Sequence, residues 1–327
     1  MKWFSVLIPL IILGGLPVLV QDPYIIHILI LCLMFAALAQ SWNLLVGFTG
    51  IFTFGHQAFF GIGAYFSAIL AIRLGISPWL GLVIGGFAAS LLGIVVGIPC
   101  LRLRAAPYIA IATLGLAEIS RIVAQNLVNI TRGEMGLSGI PEFPPLGPIS
   151  FLEGRVPYYY LIFILFLLTT ALAFWIAKSP LGLALASIRE SQDAAESIGV
   201  NVPRVKIIIF TISSFLAGLI GGFYAHYILI LTPSSVLGVP IMIELVAMVL
   251  VGGMGTLMGP IVGAFLVTLM TEYLRVVGEY RLLIYGAILV ITMIYMPSGL
   301  ITSPIIRRIS LITGFLRRIV VGGMSSS

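Results

Sequence analysis

Charged and hydrogen-bonding side chains are so sparse in this chain that each one inside an apolar run needs a reason. Eleven Asp and Glu residues and three His are spread over 327 positions. Glu118 and Glu244 both fall within long apolar stretches. A carboxylate in hydrocarbon needs a partner or a watery cavity. Glu118 has Arg121 three residues further on, on the same face of a helix, so the two can neutralise each other. Glu244 has no cation nearby in sequence. It is either a carboxylate on a solute pathway or a helix N-terminal charge following Pro240 near a membrane interface. Asn43, Thr49, Thr53, His56 and Gln57 gather among glycines and could line a polar path, whereas His27 and His226 read as solvated interfacial residues. A zwitterionic solute would need such polar groups, and Asn43, Thr53, His56, Gln57 and Glu244 are the candidates. Hydrolytic chemistry has no support, because no His-Glu-x-x-His, paired aspartates or Gly-x-Ser-x-Gly is present. The three lysines, Lys2, Lys178 and Lys206, are not preceded by a phosphate-binding glycine loop, so any uphill work draws on a partner or an ion gradient. Cys32 and Cys100 read as small buried hydrophobes, and no metal site or resident cofactor is expected.

The elements that must position these groups are membrane helices. Apolar residues make up 60% of the chain and charged ones 9%, and the mean hydropathy is +1.19. A soluble domain carries about 25% charge. The net charge of +6 is scattered rather than massed, which argues against nucleic acid. The fold class expected is an all-α polytopic transmembrane protein. A window of about 20 apolar residues per crossing gives about ten spans, near 3–20, 24–46, 57–72, 78–100, 105–129, 158–177, 206–231, 241–257, 258–275 and 281–297. The first could be a cleaved signal peptide, but no clear cleavage site follows it, and it is kept as a span. Alternating these spans puts eleven Lys and Arg residues on the side of the N-terminus and five on the other. That bias places both termini in the cytoplasm. Residues 1–303 then form one membrane domain with an outer loop at 130–157 and an inner loop at 178–205. Residues 304–327 form a basic tail.

Two glycine-rich segments should not be plain helices. Residues 43–57 carry Gly47, Gly50 and Gly55, and residues 250–264 carry Gly252, Gly253 and Gly255. Leu45-Val46-Gly47 and Gly50 align with Leu250-Val251-Gly252 and Gly255 at an offset of 205, a hint of internal duplication. Breaks at matching places in two halves point to a transport path, since freed backbone is tolerated only against protein or water. The alternative is close helix packing, which is the better reading for Gly85-Gly86.

The inner loop reads as short helices at the membrane surface. Ser179 and Pro180 form a helix start. Leu181, Leu185, Ile188, Ala195 and Ile198 give an apolar stripe, Arg189, Glu190, Asp193 and Glu196 a charged face, and Gly199 and Pro203 stop the pattern. Such a segment is either an amphipathic connector or a handle for a soluble partner. The tail, with Arg307, Arg308, Arg317 and Arg318, is a topology anchor or a basic helix on anionic lipid.

The run Asp193-Ala-Ala-Glu-Ser-Ile-Gly199 resembles the EAA-x3-G signature of ABC-importer permeases, with Asp193 where Glu is usual. The wider sequence resembles the branched-chain amino-acid permeases of the LivM type. The similar segments are Leu44–Gly47 with Phe54–Tyr65, Gly133–Pro141, Leu181–Tyr224 and Glu244–Thr256. The resemblance implies a permease subunit in a bacterial or archaeal plasma membrane. It implies pairing with a related LivH-type permease, two cytosolic ATPases and a periplasmic binding protein that delivers a branched-chain amino acid. Ala194, Ala195 and Gly199 would then allow close ATPase docking, with Arg189 and Glu190 as rim contacts. Rival readings are an ABC permease for urea or a short amide, and an ion-coupled secondary transporter using Glu118 or Glu244.

Overall fold

The computed structural model describes residues 13–274 apart from 18, 21, 101–105, 146, 148, 149 and 153, with scattered positions between 280 and 300. The architecture is all-α. In chain order the helices are α1 (Pro23–Thr49), α2 (His56–Leu74), α3 (Pro78–Cys100), α4 (Ala106–Asn126), α5 (Val128–Thr131), α6 (Val156–Lys178), α7 (Pro180–Glu190), α8 (Gln192–Ser197), α9 (Val202–Ile228), α10 (Pro233–Leu237), α11 (Val239–Gly252) and α12 (Gly259–Tyr273). Two two-residue strands, β1 (Leu137–Ser138) and β2 (Ile230–Leu231), pair antiparallel.

Seven segments among the described residues are long and apolar enough to span a membrane, with α10 and α11 together forming one of them. They match the expected spans from 24–46 through 241–257, and α12 matches the ninth with 15 residues. The first and tenth expected spans, near 3–20 and 281–297, fall largely outside the described residues, as does the tail 304–327. Boundaries moved where capping won over hydropathy. The eighth span starts at Pro233 because Thr232 caps it: its hydroxyl accepts from Ser235 N, and Ser235 Oγ accepts from Thr232 N. Pro203, read as a stop, lies in the first turn of α9, where proline's missing N–H costs nothing and Asn201 caps the helix.

Helices α2, α3 and α9 meet through small residues. A Cβ on Gly85 would lie 2.5 Å from Gly63 O, and one on Gly63 would fall on the Gly218 backbone. Lipid offers no hydrophobic drive between helices, so close backbone approach supplies the packing energy. This bears out the packing reading of Gly85-Gly86. Helix α1 runs through the centre, with Trp42 fully buried on it. By contrast α3, α4 and α6 leave Phe87, Leu91, Ile111, Ile119, Ile164 and Trp175 exposed, as helices bordering hydrocarbon do.

The 130–157 connection caps one end of the bundle. Its Phe143 and Phe151 are buried with Trp79 and Tyr158, and the Trp79 and Phe143 ring centroids lie 4.6 Å apart. His226, expected to be solvated, is fully buried beneath this cap. Its Nδ1 faces Pro141 O at 2.7 Å and its Nε2 faces Ser67 Oγ at 2.8 Å. A carbonyl only accepts, so the proton sits on Nδ1 and Nε2 accepts from the serine hydroxyl. His27 Nδ1 likewise meets the Tyr227 hydroxyl at 2.5 Å. His226 holds the cap to the bundle, and His27 ties α1 to α9.

Candidate functional site

Four consecutive residues of α1, Gln40-Ser41-Trp42-Asn43, hold both glycine-rich breaks. Helix α1 ends at Thr49, Gly50 turns the chain at φ 71°, and residues 50–55 fold back beside the helix they have just left. Trp42 Nε1 donates to Thr53 O at 3.0 Å and lies 3.1 Å from Thr53 Oγ1. Ser41 Oγ meets His56 Nε2 at 2.8 Å. Ser41 is eight residues before the end of α1, so α2 starts about 12 Å inside that end. Phe54 N is satisfied by Thr113 Oγ1 of α4 at 3.0 Å. The second break, residues 253–258, packs on another face of α1. Gly255 N donates to Asn43 Oδ1 at 2.9 Å, Asn43 Nδ2 to Thr256 O at 2.9 Å, and Gln40 Nε2 to Leu257 O at 2.6 Å. Backbone outside a helix cannot face lipid unsatisfied, and these side chains supply the partners.

The two breaks share a design. α1 stops at Thr49 and α2 starts at His56, while α11 stops at Gly252 and α12 starts at Gly259, with six residues between in each case. Gly50 and Gly255, which align at the offset of 205, have φ 71° and 78°. Gly47 is glycine for a different reason. A Cβ there would lie 2.6 Å from Gly255 N, so the second break passes directly over the end of α1.

The expected pathway residues are therefore distributed unevenly. Asn43, Thr53, His56 and Gln57 are all buried and line no open space in this conformation. Asn43 and Thr53 are occupied in holding backbone and ring N–H groups. Gln57 has no hydrogen-bond partner for either amide atom among the described residues, nor has His56 Nδ1. Glu244 is half-buried on α11, beyond its first turn, which removes the helix N-terminal reading. Glu118 and Arg121 pair as their spacing suggests, Arg121 Nε to Glu118 Oε1 at 2.9 Å, on a partly exposed face of α4.

Residues 179–201 form a helical hairpin at the end of the bundle where α1 stops. Ser179 caps α7 through Gly182 N, and Ser191 caps α8 through Ala194 N. Ile188, Ala195 and Val202 make its small core. Gly199 takes φ 89°, a conformation that L side chains rarely adopt, and closes the turn toward α9. Glu190, Asp193, Ala194, Glu196 and Gly199 are exposed. One expectation changes here. Ala195 is 1% exposed and offers no surface to a partner, because it fills the hairpin core. Ile198, placed on the apolar stripe, is 75% exposed. Arg189, read as a rim contact, is exposed as well, and its Nη1 donates to Gly47 O at 2.7 Å. Sequence reading passed over Gln40, Ser41, Trp42 and Lys206, whose Nζ reaches Gln192 Oε1 at 2.8 Å. The polar run from Gln40 to Asn43 inside an apolar helix was the available signal.

Taken together, the helix count, the lipid-type surface and the buried broken helices define a multi-pass α-helical membrane protein with a surface hairpin packed against its breaks. The chain belongs to the family described as branched-chain amino acid transport system / permease component, whose family model matches residues 24–293. It is 33% identical over 298 residues to the high-affinity branched-chain amino acid transport system permease protein LivM of Escherichia coli strain K12, covering 84% of this chain and 69% of that one. The LivM protein of Salmonella typhimurium is 32% identical over the same shares. The LivH permease protein of Salmonella typhimurium is 22% identical, covering 84% of this chain and 93% of that one. No solved structure matches.

Proposed function

We propose that this chain is one permease subunit of an ATP-driven importer for branched-chain or related hydrophobic amino acids. It works by alternating access beside a second, related permease in a bacterial or archaeal plasma membrane. Two cytosolic ATPases dock on the hairpin 179–201, and a binding protein delivers solute to the opposite face. The family membership and the likeness to both LivM and LivH proteins support this reading. The observation that carries it is the hairpin itself: capped helices offer an exposed polar face at one end of the bundle, directly against the interlocked breaks.

The docking surface proposed is Glu190, Asp193, Ala194, Glu196 and Gly199, with Ala195 beneath it as the packing residue. Asn43, Thr53, His56, Gln57 and Glu244 are kept as pathway residues only for a state in which the breaks have moved apart. The Gln57 amide and His56 Nδ1, without partners among the described residues, then gain them from solute or water.

Ala194→Arg tests the docking claim. Ala194 is helical and exposed, so the substitution costs little fold stability. The expected result is a chain with wild-type melting that no longer retains the ATPases on purification. Retention of both ATPases and of ATP-driven uptake would contradict the claim.

A further inference from the structure

We infer that Arg189 is the tie through which the hairpin moves the paired breaks, an inference that rests on the importer reading above. Arg189 lies in the last turn of α7 but makes its contacts in the bundle. Its Nη1 donates to Gly47 O at 2.7 Å, and its Cγ would lie 3.5 Å from a Cβ on Gly50. A Cβ on Gly255 would collide with Nη1 and come within 3.3 Å of Cζ. One side chain therefore rests on both breaks at once, its stem over Gly50 and its planar head between Gly47 and Gly255. Gly47 O is among the last carbonyls of α1, which have no partner inside the helix. A guanidinium is suited to that place, because it carries a fixed positive charge at the negative end of the helix. Asn43 fastens the second break to the same turn of α1 through Gly255 N and Thr256 O. A displacement of the hairpin thus pulls on the end of α1, and through Asn43 on residues 253–258, without passing through a loop.

Arg189 is on this account a positioning residue. Arg189 is exposed at the edge of the docking surface, but its guanidinium is engaged with Gly47 O, so it conveys movement rather than holding the ATPases and its loss separates hydrolysis from transport. The test uses the chain reconstituted in vesicles with the second permease, both ATPases and the binding protein, with labelled leucine as the probe. In Arg189→Ala the complex purifies intact and hydrolyses ATP at close to the wild-type rate, while leucine imported per ATP falls about tenfold, the factor expected for one lost charge-assisted hydrogen bond. Arg189→Lys recovers most of that ratio, since an ammonium can still donate to Gly47 O. Hydrogen exchange supplies a second readout. In the wild type, nucleotide alters exchange of the amides of residues 50–55 and 253–258. In Arg189→Ala only the amides of 192–197 still respond. Hydrolysis and import falling in constant proportion would overturn the inference, as would an unchanged ratio or loss of assembly in both variants. If the wild-type chain itself retains no ATPase, the importer reading fails, a result separate from any effect of Arg189.

Discussion

Asn43 supplies both a donor and an acceptor to one buried backbone turn, and few side chains here carry so much for their size. Asn43→Leu leaves Gly255 N–H and Thr256 C=O unpaired, at roughly 1–3 kcal/mol for each. The expected outcome is a clear fall in melting temperature in detergent, with Asn43→Asp falling too because it sets a buried carboxylate oxygen against Thr256 C=O. Equal melting of all three forms would mean that Asn43 does not hold the second break. At this scale the sequence was informative about which residues matter and less so about why. Asn43, Thr53, His56 and Gln57 stood out as polar groups among glycines, and a path was the natural reading. For Asn43 the structure adds a second duty, since the backbone of a broken helix must be satisfied without water and its amide does so, whereas Gln57 makes no such bond among the described residues. Ser41 and Trp42 escaped notice because each is unremarkable alone, and their duty depends on a chain segment that returns to them.

Among the elements, helix caps and small-residue contacts decide the shape. The hairpin start at Ser179-Pro180 was readable because capping is local. The role of Pro203 was not, since a proline marks both helix starts and helix stops, and only Asn201 before it tells them apart. Ser191→Ala removes the cap of α8, at about 1 kcal/mol, and is expected to speed amide exchange of residues 192–197 while leaving the bundle unaffected. Unchanged exchange there would show that the hairpin is held by its Ile188, Ala195 and Val202 core alone. The contact of α2 with α9 is less forgiving. Gly63→Val would drive a side chain into the Gly218 backbone, which cannot rotate away. A loss above roughly 3 kcal/mol is expected, read as poor membrane yield and a lowered melting temperature. A variant that melts like the wild type would contradict the close packing. The offset of 205 between the glycine segments reflected a shared geometry of helix, six-residue break and helix, but that two such breaks lie on one helix could not be read from the offset.

At the scale of the molecule, the bundle separates a capped end, built from residues 130–157 and β2, from an end carrying the hairpin. The proposed topology, drawn from the charge bias of the sequence, puts the hairpin end in the cytoplasm. A cysteine at Met135, which is 91% exposed, is expected to react with a membrane-impermeant maleimide added to intact cells. A cysteine at Asp193 is expected to react only after permeabilisation, and the reverse pattern would invert the proposed topology. The spans that fall within the described residues were legible from hydropathy because a membrane span is a property of composition. The contact between hairpin and breaks was hidden, because it depends on one long arginine side chain reaching back across the sequence.

All of these proposals assume that the chain is a gate moved from outside. The most direct measurement is leucine uptake into vesicles holding the chain and a LivH-type permease, with a binding protein supplied, compared with and without the ATPase subunits and ATP. The account predicts accumulation only when ATPases and ATP are both present, and none from a proton or sodium gradient alone. Gradient-driven accumulation by the chain in the absence of ATPases would contradict it.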